Sequence, residues 1–487
     1  MSGLKRALIF SVLTQHSMMI LTIFSTAVIA RLLTPAEVGV FAVASAATYL
    51  AIELRSLGVG QYLIRETEIG PQKIRSALGL LVVMSWGMGA VIALIGWPVA
   101  DFYGEPDLLP ILLIISSTFL FAPFGAVPFA LLSREMQFDT LFRVKAFHSV
   151  LQLGSTVYLI WAGWSYFGLA WGFWVGSLAE TMALLWYRPA GTPFVPSFKG
   201  LGKLMRFGVF VSFSNMLNQF AENMPDLVLG RVANMASVGL FSRGFGLALF
   251  LHKVIVMAAH PVVLPHLSNV QRQGSSVGRA YIDAVNLQLA FSLPVFAVAS
   301  AAAFPLIRAL FGDQWDASVP IASVMAIWGM FMSVHFHTPS LLMAIGQERV
   351  LIWIELAVFL VRVACVIIAA PMGLVAVAWG MVISGIFEFA LKSLVLRGLI
   401  DMSLRALAGV LMPNLLLAAL CWSVLWGIDA VFYDLQGSNP WPAVLLVAVS
   451  MTITWFVGLR LLRHHAWNIA LDMAGKVLPA RLVAALR

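Results

Sequence analysis

The sequence has 487 residues, of which 61% are hydrophobic and only 11% are charged, with a formal net charge of +8. Soluble domains carry about a quarter of charged residues, so this composition excludes a soluble globular protein and indicates a membrane protein. The basic balance then indicates basic cytoplasmic loops, and no nucleic-acid partner is expected. Cys365 and Cys421 both lie in apolar runs, which argues against a disulfide framework.

Long apolar runs follow one another along the chain. Each is long enough for a helix of about 20 residues to cross the hydrocarbon layer. The connections are mostly short, so no inserted soluble domain is expected. Fourteen spans are predicted, at roughly 7–32, 36–60, 76–99, 108–132, 139–162, 165–187, 206–230, 236–264, 280–306, 319–343, 350–370, 373–396, 406–428 and 441–460.

A short motif occurs twice, between spans 1 and 2 and again between spans 7 and 8. Residues 31–41 and 231–241 share Arg, Ala, Val, Gly and Phe at matching positions, five of eleven. At an offset of 210, residues of span 4 and its following turn also match span 10, including Gln137 with Gln347. We therefore predict an all-α polytopic membrane protein with two parallel-repeat lobes (spans 1–6 and 7–12) around a central cavity, plus two appended helices.

The domain organisation follows from these spans. It comprises an N-terminal lobe over 1–190, a cytoplasmic linker over 191–205, a C-terminal lobe over 206–400, spans 13 and 14 over 401–465, and an amphipathic tail over 466–487. The tail places Trp467 and other apolar residues among basic ones, which is typical of a helix lying on the membrane surface.

The orientation follows from the distribution of lysine and arginine. If the N-terminus is cytoplasmic, 23 of the 30 basic residues fall in cytoplasmic segments, whereas the external loops are acidic. The positive-inside rule therefore predicts both termini in the cytoplasm and an even number of spans.

Several of these segments resemble one family. Residues 30–41 (ARLLTPAEVGVF) are similar to the start of the bacterial polysaccharide flippases, the Wzx-type branch of the multidrug/oligosaccharidyl-lipid/polysaccharide exporters. The other similar stretches are 57–65 (LGVGQYLIR), 223–231 (NMPDLVLGR), 238–245 (VGLFSRGF) and 311–315 (FGDQW), and the resemblance covers most of residues 5–400. Ser56 stands where the family often has an acidic residue, so no acidic role is assigned there.

The resemblance implies a fold of fourteen helices in two lobes whose cavity opens alternately to each side. It implies a flippase, not an enzyme, that moves undecaprenyl-diphosphate-linked oligosaccharide repeat units across the bacterial inner membrane for exopolysaccharide, capsule or lipopolysaccharide biosynthesis. H⁺ or Na⁺ is the implied coupling ion. The expected partners are the lipid-linked substrate, membrane lipids and the polysaccharide polymerase or chain-length machinery, and no cofactor is expected.

Basic residues inside the spans are the candidates for binding a diphosphate. An ionisable side chain within a membrane span is costly and indicates a functional site, and the guanidinium group matches phosphate geometry. We assign the substrate diphosphate to Arg55, Arg243, Lys253 and Arg362. The alternative is that nearby carboxylates neutralise these charges, Glu53 for Arg55 and Glu355 for Arg362.

Two further carboxylates lie within spans. Glu180 and Glu388 stand in spans 6 and 12, which are repeat equivalents. Glu388 and Lys392 are four residues apart, which predicts a pair on the helix surface.

Two carboxylates in span 7 are the candidates for ion coupling. Glu222 and Asp226 are four residues apart and share a helix face, and Pro225 between them frees backbone carbonyls. Such a pair in lipid is expensive unless it is protonated or binds a cation. The alternatives are an interlobe salt bridge to Arg231 or Arg243, or a position of Asp226 at the membrane interface, outside the hydrocarbon layer.

The repeated motif itself is assigned to the outer mouth of the cavity. Arg31, Arg231, Gly39 and Gly239 are predicted to be gate or structural residues there. His335 and His337 are two residues apart on divergent helix faces, so hydrogen bonding in the core is favoured over a metal site.

Three other functions remain open on sequence grounds. One is a drug/cation antiporter on the same fold, and another is a flippase for the peptidoglycan lipid precursor. A membrane polysaccharide polymerase is disfavoured because the external loops are too short to hold a catalytic domain.

Overall fold

The computed structural model describes residues 2–56, 58–66, 68–274, 276–400, 402–431, 434–437 and 439–467. Every regular element of this part of the chain is a helix. The α-helices are α1 Ser2–Leu32, α2 Pro35–Ser56, α3 Val59–Arg65, α4 Pro71–Tyr103, α5 Leu108–Ser117, α6 Ala122–Arg134, α7 Phe138–Leu159, α8 Phe167–Trp186, α9 Leu201–Val232, α10 Met235–Arg272, α11 Val277–Ala301, α12 Ala303–Phe311, α13 Val319–Val334, α14 Thr338–Ala344, α15 Glu348–Ala369, α16 Leu374–Leu399, α17 Leu404–Val431 and α18 Pro440–Leu461. Residues 468–487 of the predicted tail lie outside the described ranges.

The chain is a multi-pass membrane protein. Within the described ranges, nine helical stretches are long and apolar enough to cross a membrane, or ten if the bent pair α5 and α6 forms one span. A helix lies at each of the fourteen predicted spans, but the count of fourteen itself stays a prediction. Some of these helices are less apolar; α7, for example, carries Asp139, Arg143 and Lys145 in its first turns.

The fourth predicted span is broken rather than continuous. Helices α5 and α6 meet at 51°, joined by a 3₁₀ turn at Thr118–Leu120. Two side chains of α4 satisfy the carbonyls freed at this break: Ser85 Oγ donates to Phe119 O at 2.9 Å, and Trp86 Nε1 donates to Leu120 O at 3.0 Å. These hydrogen bonds hold the backbone at Phe119, whose side chain is fully buried.

The chain forms two compact units, Met1–Gly239 and Leu240–Arg487. In the first unit, α7 and α8 pack closely because glycines of α8 face larger residues of α7. A Cβ atom on Gly172 would lie 1.8 Å from Thr156 Oγ1, and one on Gly176 would lie 2.7 Å from Gln152 Cβ. The predicted linker also packs within this unit, since Ser197 N donates to Arg75 O at 2.8 Å.

In the second unit, α11 packs against α13, α17 and α18. The Phe296 ring fills the space above Gly329, where a Cβ atom would lie 2.3 Å from the ring. Trp455 Nε1 of α18 donates to Ala290 O of α11 at 2.6 Å. The two helices predicted as appended spans, α17 and α18, therefore belong to the packing of this unit.

The turns after α6 and α14 have the same geometry in both units. Gln137 N donates to Leu132 O at 3.0 Å, and Gln347 N donates to Leu342 O at 2.8 Å. The residue before each glutamine has a positive φ, 55° at Met136 and 70° at Gly346. The sequence match at an offset of 210 therefore corresponds to the same local structure.

Candidate functional site

A polar cavity inside the first unit contains one of the predicted cations. Arg55 lies in the last turn of α2, and its guanidinium carbon lies 5.0 Å from the centre of the Phe119 ring, a cation–π distance. The cavity has a volume of about 230 Å³. Its lining residues are Arg55, Thr118, Ala122, Gly125, Ala126, Phe129, Lys145, Phe173, Ser177, Glu180, Thr181 and Leu184.

An ion pair lies on the wall of this cavity. Lys145 Nζ of α7 lies 2.6 Å from Glu180 Oε1 of α8, and His148 Nδ1 lies 3.3 Å from the other carboxylate oxygen. The close packing of α7 on α8 brings these residues together although they are far apart in sequence. The cavity lining thus holds two cations and one carboxylate, Arg55, Lys145 and Glu180, a net charge of +1.

The second unit holds a buried network of four charged side chains. Glu388 accepts from Arg362 Nη2 at 3.0 Å and from Lys392 Nζ at 2.5 Å. Lys392 also lies 3.4 Å from Glu355, so the network contains two cations and two carboxylates. Arg362, Glu388 and Lys392 are each no more than 6% exposed. Glu388 and Lys392 form the predicted pair, but the pair is buried and does not lie on the helix surface. Arg362 pairs with Glu388 and not with the expected Glu355.

A histidine hydrogen-bond network adjoins this charge cluster. His335 Nδ1 lies 3.0 Å from the Tyr281 hydroxyl, and His335 Nε2 lies 2.7 Å from Ser393 Oγ. Hydrogen bonding in the core is therefore confirmed for His335. In the described ranges, no group of three or more His, Cys, Asp or Glu side chains is arranged to hold a metal ion.

The other two predicted cations have different surroundings. The Arg243 guanidinium carbon lies 5.6 Å from the centre of the Phe311 ring and 5.3 Å from that of Trp315. Two separate sequence motifs, 238–245 and 311–315, therefore meet within the second unit. Lys253 of α10 is exposed.

The repeated motif forms a close helix crossing. The second helix of each hairpin begins with a side-chain cap: Thr34 N donates to Glu37 Oε2 at 2.7 Å, and Ser237 N donates to Asn234 Oδ1 at 2.8 Å. The starts of α2 and α10 cross each other. Gly39 of α2 faces Met235 of α10, and Gly239 of α10 faces Pro35 of α2.

This crossing requires glycine at both positions. A Cβ atom on Gly39 would lie 1.7 Å from Met235 O, and one on Gly239 would lie 1.9 Å from Pro35 O. Both motif arginines are exposed, and Arg231 lies 4.8 Å from the centre of the Phe102 ring.

The two predicted coupling carboxylates lie in α9, where Pro225 interrupts the backbone hydrogen bonding between them. Glu222 and Asp226 are both half-buried. Tyr103 of α4 donates to Leu227 O, two residues beyond the proline, at 3.1 Å.

Sequence reasoning missed Lys145 as a site residue and left Glu180 without a partner. The sequence does hold an indication of this pair: Glu180 lies well inside a predicted span, and a buried carboxylate there requires a nearby cation. On sequence grounds Lys145 belongs to a cytoplasmic segment, whereas it lies in the second turn of α7.

Comparison with known proteins identifies a family. The sequence profile of the family described as "Polysaccharide biosynthesis protein" matches residues 28–320, more than half of the chain. The chain is 24% identical to the teichuronic acid biosynthesis protein TuaB of Bacillus subtilis (strain 168), with 78% of this chain and 80% of that protein covered. It is 23% identical to the lipopolysaccharide biosynthesis protein WzxC of Escherichia coli (strain K12), with 65% of each covered.

Solved structures show the same fold at low sequence identity. The lipid II flippase MurJ in an inward closed conformation matches with a TM-score of 0.77 and 14% identity, covering 93% of this chain and 99% of that one. An inward-facing multidrug resistance transporter of the MATE family in the MOP superfamily matches with a TM-score of 0.62 and 13% identity, covering 79% and 95%. The helical architecture is therefore of the MOP type.

Proposed function

Because the chain belongs to the polysaccharide biosynthesis protein family, we propose that it flips undecaprenyl-diphosphate-linked oligosaccharide repeat units across the bacterial inner membrane. Its family and its structural neighbours include flippases and transporters, so it is a transport protein and not an enzyme. In this proposal both termini are cytoplasmic, and the fourteen predicted spans form two lobes with a cavity that opens alternately to each side.

The observation that carries this proposal is the cationic cavity at Arg55. A diphosphate brings at least two negative charges into a region of low dielectric constant, where they require positive charge and hydrogen-bond donors. Arg55 supplies a planar fork that suits phosphate oxygens. Thr118, Ser177 and Thr181 supply hydroxyl groups on the same lining, which suit either phosphate or sugar oxygens.

The Lys145–Glu180 pair gives this cavity a means of release. Lys145 Nζ lies 2.6 Å from Glu180 Oε1, so a bound diphosphate competes with Glu180 for that ammonium group. The net charge of the lining only partly balances a diphosphate. The cavity therefore binds the diphosphate favourably but not too tightly. The substrate can then leave on the opposite side, as passage across a membrane requires.

We assign the remaining predicted cations to supporting roles. Arg243 and Lys253 stay candidates for the diphosphate in the second lobe. Arg362 is weaker in this role because Glu388 already neutralises it in a buried network. The four glycine and arginine residues of the repeated motif, Arg31, Arg231, Gly39 and Gly239, stay assigned to the outer gate.

Replacing Arg55 tests the proposal in cells. We expect Arg55→Ala to lower export on the order of 10- to 100-fold, because a hydrogen bond to a charged group contributes roughly 1.5–3 kcal/mol. Surface polysaccharide and the cellular pool of lipid-linked oligosaccharide are measured, and the pool should rise as export falls. Arg55→Lys should retain partial export.

The matched control is Arg143→Ala, which removes an exposed arginine of the same unit outside the cavity lining and should affect export less. Normal export by Arg55→Ala at normal membrane abundance would remove Arg55 from the substrate site. Drug sensitivity with intact polysaccharide would favour the antiporter alternative, and loss of cell-wall synthesis would favour the peptidoglycan precursor.

Ion coupling is proposed to use Glu222 and Asp226, with H⁺ or Na⁺ as the ion. A half-buried carboxylate pair beside a helix-interrupting proline has both the charge and the freed carbonyls to bind a cation. We expect a Glu222→Gln, Asp226→Asn double variant to lose the dependence of flipping rate on the pH or Na⁺ gradient. The assignment fails if the rate of this variant still follows the gradient as in the wild type.

A further inference from the structure

The second unit contains a larger cavity that the proposed transport does not use. Its volume is about 690 Å³, and a second cavity of about 510 Å³ adjoins it, with Met402 and Ser403 lining both. The two cavities lie where α11 and α17 begin and where α16 ends.

This position places the cavities at the ends of membrane spans. Val277–Ala301, Leu374–Leu399 and Leu404–Val431 are all candidate spans, and their ends on this side meet at the cavities. The ends of spans lie at the level of the lipid headgroups. Gly278 allows the start of α11 to lie close to the end of α16, because a Cβ atom on Gly278 would lie 2.6 Å from Ile400 O.

The charged side chains that line the cavities among the described residues are all basic. Arg279 lines the larger cavity, and Arg397 and Arg405 line the smaller one. Among the described residues, no carboxylate lines either cavity, and no ion pair in the described ranges involves these three arginines. Asp401, the one acidic residue in the stretch 397–405, lies outside the described residues.

Two helix starts add to the positive potential. Ser276 Oγ caps α11 by accepting from Arg279 N at 3.4 Å, and Ser403 Oγ accepts from Ala406 N at 3.4 Å at the start of α17. The first N–H groups of a helix point outward and favour an anion. Both helix starts contribute residues to the larger cavity.

The rest of the wall is apolar. Val277, Ile282, Ile345, Leu399 and Ile400 line the larger cavity beside the polar groups. A small hydrophilic anion makes no favourable contact with apolar side chains. A phospholipid carries both a phosphate and hydrocarbon chains, so it suits both parts of the cavity wall.

We propose that these adjoining cavities bind the phosphate headgroup of an anionic phospholipid, with its acyl chains against the apolar wall. Arg279, Arg397 and Arg405 bind the phosphate, and the lipid holds the ends of α11, α16 and α17 together. Basic pockets between spans at a membrane surface suit such headgroups. This site is separate from the Arg55 cavity and does not depend on the transported substrate.

The test measures lipid retention by the purified full-length chain. The protein is delipidated in detergent and titrated with phosphatidylglycerol or phosphatidylcholine, and bound lipid is counted by native mass spectrometry. We expect one phosphatidylglycerol to be retained preferentially. The triple variant Arg279→Gln, Arg397→Gln, Arg405→Gln should bind it on the order of a hundredfold more weakly, since each basic residue near anionic lipid contributes about a fivefold factor.

Three controls distinguish binding at these cavities from misfolding and from nonspecific adsorption of lipid. Arg272→Gln with Arg349→Gln removes two exposed arginines that line neither cavity and should leave binding unchanged. A triple Arg→Lys variant keeps the charge and should retain most of the binding, which excludes misfolding as the cause of any loss. Glycerol phosphate, the soluble headgroup, should fail to displace the lipid.

The proposal is overturned if the triple glutamine variant retains phosphatidylglycerol as the wild type does. It is equally overturned if phosphatidylcholine binds as well, or if glycerol phosphate competes at equal concentration, because the site would then recognise hydrocarbon alone or any phosphate.

Discussion

Glu388→Ala is expected to lower the free energy of unfolding by about 3–5 kcal/mol, the usual cost of removing one partner of a buried ion pair. Arg362 and Lys392 both depend on this carboxylate, at 3.0 and 2.5 Å. Without it, the network keeps two cations against the single carboxylate of Glu355 in a buried region. Thermal or denaturant unfolding of the purified protein in detergent measures the change.

A double variant distinguishes the lost charge balance from lost packing. Glu388→Leu with Arg362→Met removes one charge of each sign and leaves Lys392 beside Glu355, so most of the stability should return. The matched control is Glu66→Ala, which breaks a pair with Lys73 at 2.6 Å that is much more exposed than the network of Glu388. The hydrogen bond from Lys73 lowers the pKa of Glu66, yet an exposed pair of this kind contributes little. Equal losses for Glu388→Ala and Glu66→Ala would contradict this interpretation of the network.

Gly39→Ala and Gly239→Ala are each expected to abolish polysaccharide export and to destabilise the protein by about 1–3 kcal/mol. The new Cβ atom would lie 1.7 Å from Met235 O or 1.9 Å from Pro35 O, and a backbone carbonyl cannot swing aside as a side chain can. The two helix starts must therefore separate. Export and membrane abundance are measured together with the melting temperature.

Gly246→Ala is the matched control, because it lies in α10 with nothing within 4 Å of its new Cβ atom. Alanine favours a helix over glycine by about 1 kcal/mol, so this variant should be neutral or stabilising. The double variant of Gly39 and Gly239 should cost less than the sum of its parts, since one helix shift relieves both clashes. Wild-type export and melting temperature in Gly39→Ala would refute the assigned role of the crossing.

The helices and the repeat were predictable because they depend on local patterns. Apolar runs locate a helix at each of the fourteen predicted spans, although not the break between α5 and α6. The match of Gln137 with Gln347 located a turn that both units share. The pair of Glu388 with Lys392 also followed from helical spacing alone. The repeat singled out the two motif glycines. It did not indicate that Gly39 faces the start of α10 and that Gly239 faces the start of α2.

The pairing of side chains in the candidate site was harder to predict from the sequence. Lys145 meets Glu180 across 35 residues, and Arg362 meets Glu388 across 26. Such contacts depend on how α7 packs on α8 and how α15 packs on α16, which is decided by close glycine contacts and not by charge spacing. Arg55 and Arg362 looked alike in the sequence, as single arginines in apolar helices. In the structure, Arg55 lies in a cavity wall, whereas Arg362 belongs to a neutral buried network.

The most direct test of the proposed function is flipping by the purified chain in liposomes. A fluorescent undecaprenyl-diphosphate-linked oligosaccharide is placed in the inner leaflet, and a membrane-impermeant quencher reports its arrival in the outer leaflet. We predict rapid quenching with the wild-type protein and a rate on the order of 10- to 100-fold lower with Arg55→Ala. Quenching by the wild type no faster than in protein-free liposomes would contradict the proposed function.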